Sequence, residues 1–336
     1  MRKSLSVLER GDAPVVAARG LVKRYGRTTA LDGLDLEVAA GEVHGFLGPN
    51  GAGKSTTIRA LLGQIRLDGG ELTVFGDDPR SDAVRIHDRL AYVPGDTALW
   101  PLLTGGECLD LLGRLGGHQD RRRRDELVQR FELDPTKRTR SYSKGNRQKV
   151  ALVAALAADV ALLVLDEPTS GLDPLMEAEF QGAVREAAQA GRTVLLSSHI
   201  LDEVEALCDR VTIIRAGATV STGTLDELRR NTRSTIETVT ADPLPAEIVE
   251  ATGVADAHGT PHAHGTKTTL VVLPQALARV TAAVAARDPL ALTVRPPSLD
   301  ELFLEHYRAD PRADSSTESP GDRRRERQAR PRVSVR

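Results

Sequence analysis

The chain has 336 residues, 40% of them hydrophobic and 27% charged, an ordinary globular composition that suits about two domains at roughly 150 residues each. Its formal net charge of −2 gives no global electrostatic case for nucleic-acid binding, and no nucleic-acid partner is expected. Cys108 and Cys208 are the only cysteines and lie far apart, which argues against a disulfide framework and suits a reducing cytoplasm.

Residues 1–13 read as a flexible start, basic but without an apolar h-region, so no signal peptide is expected. Between residues 15 and 38, alternating runs broken by Gly20, Gly26 and Gly33 predict an antiparallel β-unit, to which residues 72–76 return. Residues 42–47 form a short apolar strand pattern. It runs into Gly48-Pro49-Asn50-Gly51-Ala52-Gly53-Lys54-Ser55-Thr56, a complete G-x-x-x-x-G-K-[ST] phosphate-binding loop. Its glycines let successive N–H groups turn inward at a β-phosphate. Lys54 can reach the β- and γ-phosphates, and the Ser55 hydroxyl is placed to ligate Mg²⁺. A helical run over residues 56–62 follows, with its positive end toward the anion. This segment predicts binding of a nucleoside triphosphate.

The next strand pattern ends in Ala91-Tyr92-Val93-Pro94-Gly95-Asp96. Trp100 is expected to pack in the core; exposed, it would suit an anchor at a protein interface. Helical patterns with glycine breaks fill residues 96–158. Within them, Asp120-Arg121-Arg122-Arg123-Arg124-Asp125-Glu126 reads as a solvated helix face, with docking to a membrane partner or lipid headgroups as the sharper alternative. Ser141-Tyr142-Ser143-Lys144-Gly145-Asn146-Arg147-Gln148 opens a helix. The most apolar stretch, residues 150–165, is shorter than the ~20 residues a bilayer needs, and Asp159 interrupts it. Residues 161–167 are an apolar run ending in Asp166 and Glu167, as expected of a buried parallel strand. At the mouth of such a sheet Asp166 would hold Mg²⁺, usually through water, and Glu167 would orient and deprotonate an attacking water.

Pro168-Thr169-Ser170-Gly171-Leu172-Asp173 comes next, then a strand pattern running into Leu195-Leu196-Ser197-Ser198-His199. Two more strand patterns, at 210–214 and 218–221, precede a helix at 226–230. Residues 232–308 carry no catalytic motif and read as a small α/β accessory domain, with a helix near 275–286 after Pro274 and another near 299–307. His258, His262 and His264, among Gly259, Pro261 and Gly265, read as loop histidines rather than metal ligands. Residues 309–336, rich in Arg, acids, Ser and Pro, predict a disordered tail.

The order of these motifs resembles that of the ATP-binding cassette (ABC) transporter ATPases, over about two thirds of the chain, roughly residues 15–228. The resemblance implies an α/β P-loop NTPase core in residues 14–231, with an antiparallel β-subdomain and a helical subdomain at about 96–158, followed by the accessory domain. It implies ATP and Mg²⁺ as cofactors, with Tyr25 stacked on adenine and the loop from Gly48 to Thr56 on the phosphates. Ser143 and Gly145 would touch the γ-phosphate bound by a partner subunit, Asp173 would contact that subunit, and His199 would sense the γ-phosphate beside Glu167 and Lys54. The Tyr-Ser-Lys-Gly signature, with Pro297-Ser298-Leu299-Asp300-Glu301-Leu302-Phe303-Leu304 near the end, is similar to the drug- and antibiotic-export branch, typified by the daunorubicin-resistance ATPases. That branch implies a membrane permease, a second ATPase subunit (identical or related), no direct cargo binding, and a cytoplasmic position on the inner face of the bacterial membrane.

Lys144 stands where the family has a second signature glycine, and Asn146 where it has glutamine. Gly95 stands where the family carries a glutamine near Mg²⁺ and the attacking water; Asp96 or a water would fill in, and the backbone would be free to adopt φ > 0. Two alternatives remain. A soluble ABC ATPase acting on ribosomes or DNA is opposed by the single phosphate loop and the 89-residue, heptad-free spacing from Lys54 to Ser143. A nucleotide-binding regulator is motivated by Gly95 and opposed by intact Glu167 and His199.

Overall fold

A computed structural model describes residues 13–116, 119–230 and 233–295. β1 (Val16–Tyr25) and β2 (Thr28–Val38) form an antiparallel hairpin closed at Tyr25 and Thr28, with register slips at Gly20 and Gly33. β3 (Val43–Leu47) leads through the phosphate-loop segment into α1 (Lys54–Leu61). β4 (Gly69–Val74) returns to β1, giving the order β2-β1-β4. After α2 (Ala83–His87) and β5 (Leu90–Val93) come three helices: α3 (Gly105–Leu115), α4 (Arg121–Arg130) and α5 (Lys144–Leu156). Side-chain caps start each of them, Thr104 with Glu107 in a capping box, then Asp120, then Ser143.

β6 (Leu162–Asp166), α6 (Pro174–Gln189), β7 (Thr193–Ser198), α7 (Leu201–Leu207), β8 (Arg210–Arg215), β9 (Ala218–Thr224) and α8 (Leu225–Arg230) follow. The six-stranded sheet runs β5-β6-β7-β3-β8-β9, parallel except for β9. Every residue of β3, β6 and β7 is buried, because helices and the second sheet cover both faces. The two-residue period divides each apolar run between two cores. Leu163 and Leu165, with Val194 and Leu196, pack with Phe131, Val153 and Phe180 of the helical side. Leu162, Val164 and Leu195 pack with Phe46, Ile58 and Leu31 on the side of α1 and the antiparallel sheet.

The last described elements are β10 (Ser234–Thr240), α9 (Ala246–Val249), β11 (Val254–His262), β12 (Gly265–Val272), α10 (Leu277–Ala285) and β13 (Ala291–Arg295). The strands form an antiparallel sheet in the order β11-β12-β10-β13, with its own core of Ile236, Leu270, Val272, Val280 and Val284. The expected features within residues 1–12, near 299–307 and in 309–336 lie outside the described residues.

Three expectations change. His258 and His262 lie in β11 rather than in a loop, since the hairpin turns only at His262–Gly265. No cluster of three metal-ligating side chains forms there among the described residues. Trp100 is 43% exposed rather than packed in the core, and its carbonyl accepts from Thr139 Oγ1 at 2.6 Å. The arginine run is not uniformly solvated. Arg122 points outward, but Arg124 donates to Asp110 on α3 at 2.5 Å and Arg123 to Glu186 on α6 at 2.5 Å. Two adjacent residues in the first turn of α4 thus fasten it to two neighbouring helices.

Candidate active site

Strand order brings the chemistry together. β7 lies between β6 and β3, with Ser197 beside Asp166 and Ser198 beside Leu47 in register. The carboxyl ends of three adjacent parallel strands therefore deliver the phosphate loop, the acidic pair and His199 to one edge of the sheet, where α/β folds bind ligands.

Gly53 ends the loop as the residue before α1, at φ 114°, and a Cβ there would lie 2.9 Å from Leu31 Cδ2. Only glycine meets both conditions. Lys54 is buried at 5% exposure, and its Nζ donates back to the carbonyls of Gly48 (2.6 Å) and Pro49 (3.2 Å). Ser55 is exposed at the first turn of α1, and Thr56 is half-buried beside it. The helix starts two residues earlier than the apolar pattern suggests, so Lys54 and Ser55 sit on its positive end.

Glu167 adopts φ 47°, a left-handed conformation that a non-glycine side chain rarely takes. Its N–H donates to Ser197 O at 3.0 Å, which anchors the turn to β7. Glu167 Oε1 lies 3.5 Å from Lys54 Nζ and 3.2 Å from His199 Nδ1. One carboxylate oxygen is thus shared by the lysine of the first motif and the histidine of the last.

Asp166 is buried, and Ser197 Oγ donates to its Oδ1 at 2.5 Å. Burial, with the Asp166 carboxylate next to it, pushes the Tyr92 phenol up to about 12. Asp166 and the exposed Ser55 hydroxyl are hard oxygen donors, a set that fits Mg²⁺ and its retained waters. Ser197 is a site residue the sequence did not disclose. Its parity on β7 relative to Asp166 needs the strand order, which no local pattern carries.

The signature segment is built differently. Ser143 is exposed and caps α5, accepting from Asn146 N at 3.2 Å. Lys144 Nζ donates to Ser170 Oγ at 2.7 Å, and a Cβ on Gly145 would lie 2.4 Å from Gly171 O. Asp173 caps α6 through Met176 N at 3.0 Å. Among the described residues no hydrogen bond or ion pair joins residues 143–148 to the phosphate loop. Tyr25 closes the first hairpin, 46% exposed, with Lys23 Nζ 5.2 Å from its ring centre. Gly95 is not in the left-handed region, contrary to the freedom expected of it. Its place is fixed by contact instead: a Cβ there would lie 3.1 Å from Asp166 O and 3.5 Å from Glu167 Cβ.

Burial also acts just past the histidine. Ser198 Oγ donates to Glu203 Oε2 at 2.6 Å. Burial raises the Glu203 carboxyl above its ordinary value, against the opposing effect of the Ser198 and Thr169 hydroxyls.

Comparison with known proteins agrees with this arrangement. The family model described as ABC transporter matches residues 31–170. A daunorubicin resistance ATP-binding protein of Streptomyces coeruleorubidus is 37% identical over 313 residues, covering 87% of this chain and 95% of that protein. A second from the same organism is 44% identical over 222 residues, covering 65% of this chain and 70% of that protein. The solved structure of an ATP-binding subunit of an ABC transporter superposes with a TM-score of 0.61 at 32% identity, covering 64% of this chain and 92% of that one.

Proposed function

We propose that this chain, which belongs to the ABC transporter ATP-binding family, powers the export of a drug or antibiotic through a separate membrane permease. It is an ATP-hydrolysing subunit, and no described helix is long and apolar enough to cross a membrane. Subunits of this family dimerise and work with membrane components, so the inner face of the membrane is where we place it. The observation that carries the chemistry is the shared oxygen of Glu167, held between Lys54 and His199.

In this reading Lys54 exchanges the Gly48 and Pro49 carbonyls for phosphate oxygens. Glu167 is thereby released from its contact with Lys54 and is free to accept the proton of the attacking water. His199, still within reach of Glu167, orients that water toward the γ-phosphate. Ser55 and Asp166 would hold Mg²⁺, which neutralises charge on the phosphates when bound; Ser197 keeps the Asp166 carboxylate turned to the site. Tyr25 would stack on adenine. Ser143, Gly145 and Asp173, whose contacts lie in α5, α6 and the loop before Asp173, would complete the site of a second subunit.

The test is direct. The purified chain should hydrolyse ATP, and Lys54→Ala should lose nucleotide binding. Co-expressed with its permease, the chain should sediment with membranes and lower the cell content of a fluorescent anthracycline. Absence of ATP hydrolysis by the chain with its permease would end this reading. Hydrolysis without anthracycline efflux would end only the drug assignment.

A further inference from the structure

Gly95 removes a side chain from the loop after β5, yet that loop still receives a buried amide from elsewhere. Gln148, on α5, donates from Nε2 to Pro94 O (3.3 Å) and accepts at Oε1 from Thr97 Oγ1 (2.7 Å). Gln148 is 1% exposed and Thr97 7%, so both bonds are made out of water, where an unmatched partner is costly. An amide suits the place because one partner is an acceptor and the other a donor; glutamate could not donate to Pro94 O, and leucine could do neither.

One turn earlier on the same face of α5, Lys144 reaches Ser170. The helix capped by Ser143 is therefore tied at positions 144 and 148 to the two loops that flank Glu167. The Gly95 loop also runs close beside the end of β6: Val93 pairs with Leu165, and a Cβ on Gly95 would lie 3.1 Å from Asp166 O.

We propose that Gln148 is a positioning residue that couples the Gly95 loop to the signature helix, supplying from α5 the amide that the loop itself lacks. The inference rests on the ATPase reading and deepens it. Movement at Asp166 and Glu167 reaches residues 94–97 through the paired ends of β5 and β6, and the two hydrogen bonds pass that displacement to the helix presenting Ser143 and Gly145. The catalytic half of one site would in this way set the orientation of the signature half that serves the other.

The experiment uses the full chain carrying Glu167→Gln, in which nucleotide is held rather than turned over. Two quantities are measured: affinity for a fluorescent ATP analogue, and ATP-driven dimerisation by sedimentation. Thr97→Val and Gln148→Leu should each change nucleotide affinity by less than about threefold and weaken dimerisation by roughly tenfold or more. The double variant should be no worse than the poorer single one, because both remove the same link. Thr97→Ser, which keeps the hydroxyl, should behave like the parent. Dimerisation within about twofold of the parent for Thr97→Val, additive losses in the double variant, or a Thr97→Ser chain as weak as Thr97→Val would overturn the coupling. If Gln148→Leu does not fold, the valine–serine pair at position 97 decides alone. A parent chain that neither binds the analogue nor dimerises would instead strike the ATPase reading.

Discussion

The phosphate-loop half and the signature half of this molecule differ in how complete they are within one chain. In the first, Lys54, Asp166, Glu167, Ser197 and His199 are linked by contacts of 2.5 to 3.5 Å, and Lys54 and Asp166 are buried. In the second, Ser143 and Lys144 are exposed, and their partners lie in their own helix or in the loop after Glu167. On the proposed function, the contrast separates two jobs. Groups that move a proton must be held against each other before substrate arrives, so they sit on the ends of neighbouring strands. Groups that close on a second subunit must stay at the surface, on a helix end whose orientation can be adjusted.

The sharpest way to break the first half alone is Glu167→Gln. It keeps the shape and the loop but removes the proton acceptor, so turnover should fall by between about a hundredfold and ten-thousandfold. Affinity for ATP should be retained, since Lys54 and the loop are untouched, and an ATP-bound dimer should accumulate. Steady-state hydrolysis with equilibrium nucleotide binding reads both. An unchanged rate would remove Glu167 from the role and leave His199 or Asp96 to supply it.

Gly145→Ala attacks the second half. The added methyl would sit 2.4 Å from Gly171 O, so the signature loop or the loop before Asp173 must shift. Overpacking of this kind costs about 1–3 kcal/mol, enough to weaken ATP-driven dimerisation roughly tenfold to a hundredfold. Nucleotide affinity of the single chain should hardly change, because the phosphate loop is built from other strands. A parallel loss of nucleotide affinity would contradict the division into two halves.

The same division explains what the sequence revealed. The phosphate loop, the acidic strand and His199 were legible because each is a local string whose backbone fixes the chemistry. The alternation of β6 between two cores was implicit in its apolar run, but which residue faces which core needs the sheet order. Ser197 and Gln148 were not legible as site residues, since each acts across 31 or more residues of sequence. His258 and His262 misled because glycine and proline beside them mimic a loop, whereas β11 is an edge strand, where such residues are tolerated. Trp100 misled for a related reason: size and hydrophobicity argue for burial, but it lies on the irregular connection between β5 and α3, where the structure leaves it 43% exposed.

A smaller effect is expected at the junction of the halves. Gly95→Gln would bring an amide back to the loop, at the cost of a Cβ placed 3.1 Å from Asp166 O. A contact of that length asks for a shift of a few tenths of an ångström. The Mg²⁺ site can use water as a ligand, so basal hydrolysis should change by less than about tenfold, below ~1.4 kcal/mol in barrier. Stimulation by the permease should change more than basal hydrolysis does. A rise in basal turnover of about a hundredfold, or ~2.7 kcal/mol, would mean that the native site is held back, and a regulatory role would then take precedence over transport.

The smallest effect concerns stability within the catalytic half. Glu203 accepts from Ser198 beneath the histidine turn and faces Glu177, His199 and Cys208, with burial as the main cause of its raised carboxyl. Because the folded chain holds this proton more tightly than the unfolded chain, stability is highest below the unfolded value. It declines as pH rises from there through the folded value. Glu203→Gln keeps the shape, carries no charge and escapes that decline. Its own offset, from exchanging a carboxyl for an amide beside Ser198, does not vary with pH through this group. The melting temperature of the variant minus that of the parent should therefore increase between about pH 4 and about pH 8. A difference that stays flat would mean that Glu203 exchanges its proton as freely in the folded chain as in the unfolded one. Burial beneath the histidine turn would then carry no energetic weight, and the contrast between a closed catalytic half and an open signature half would narrow at this point.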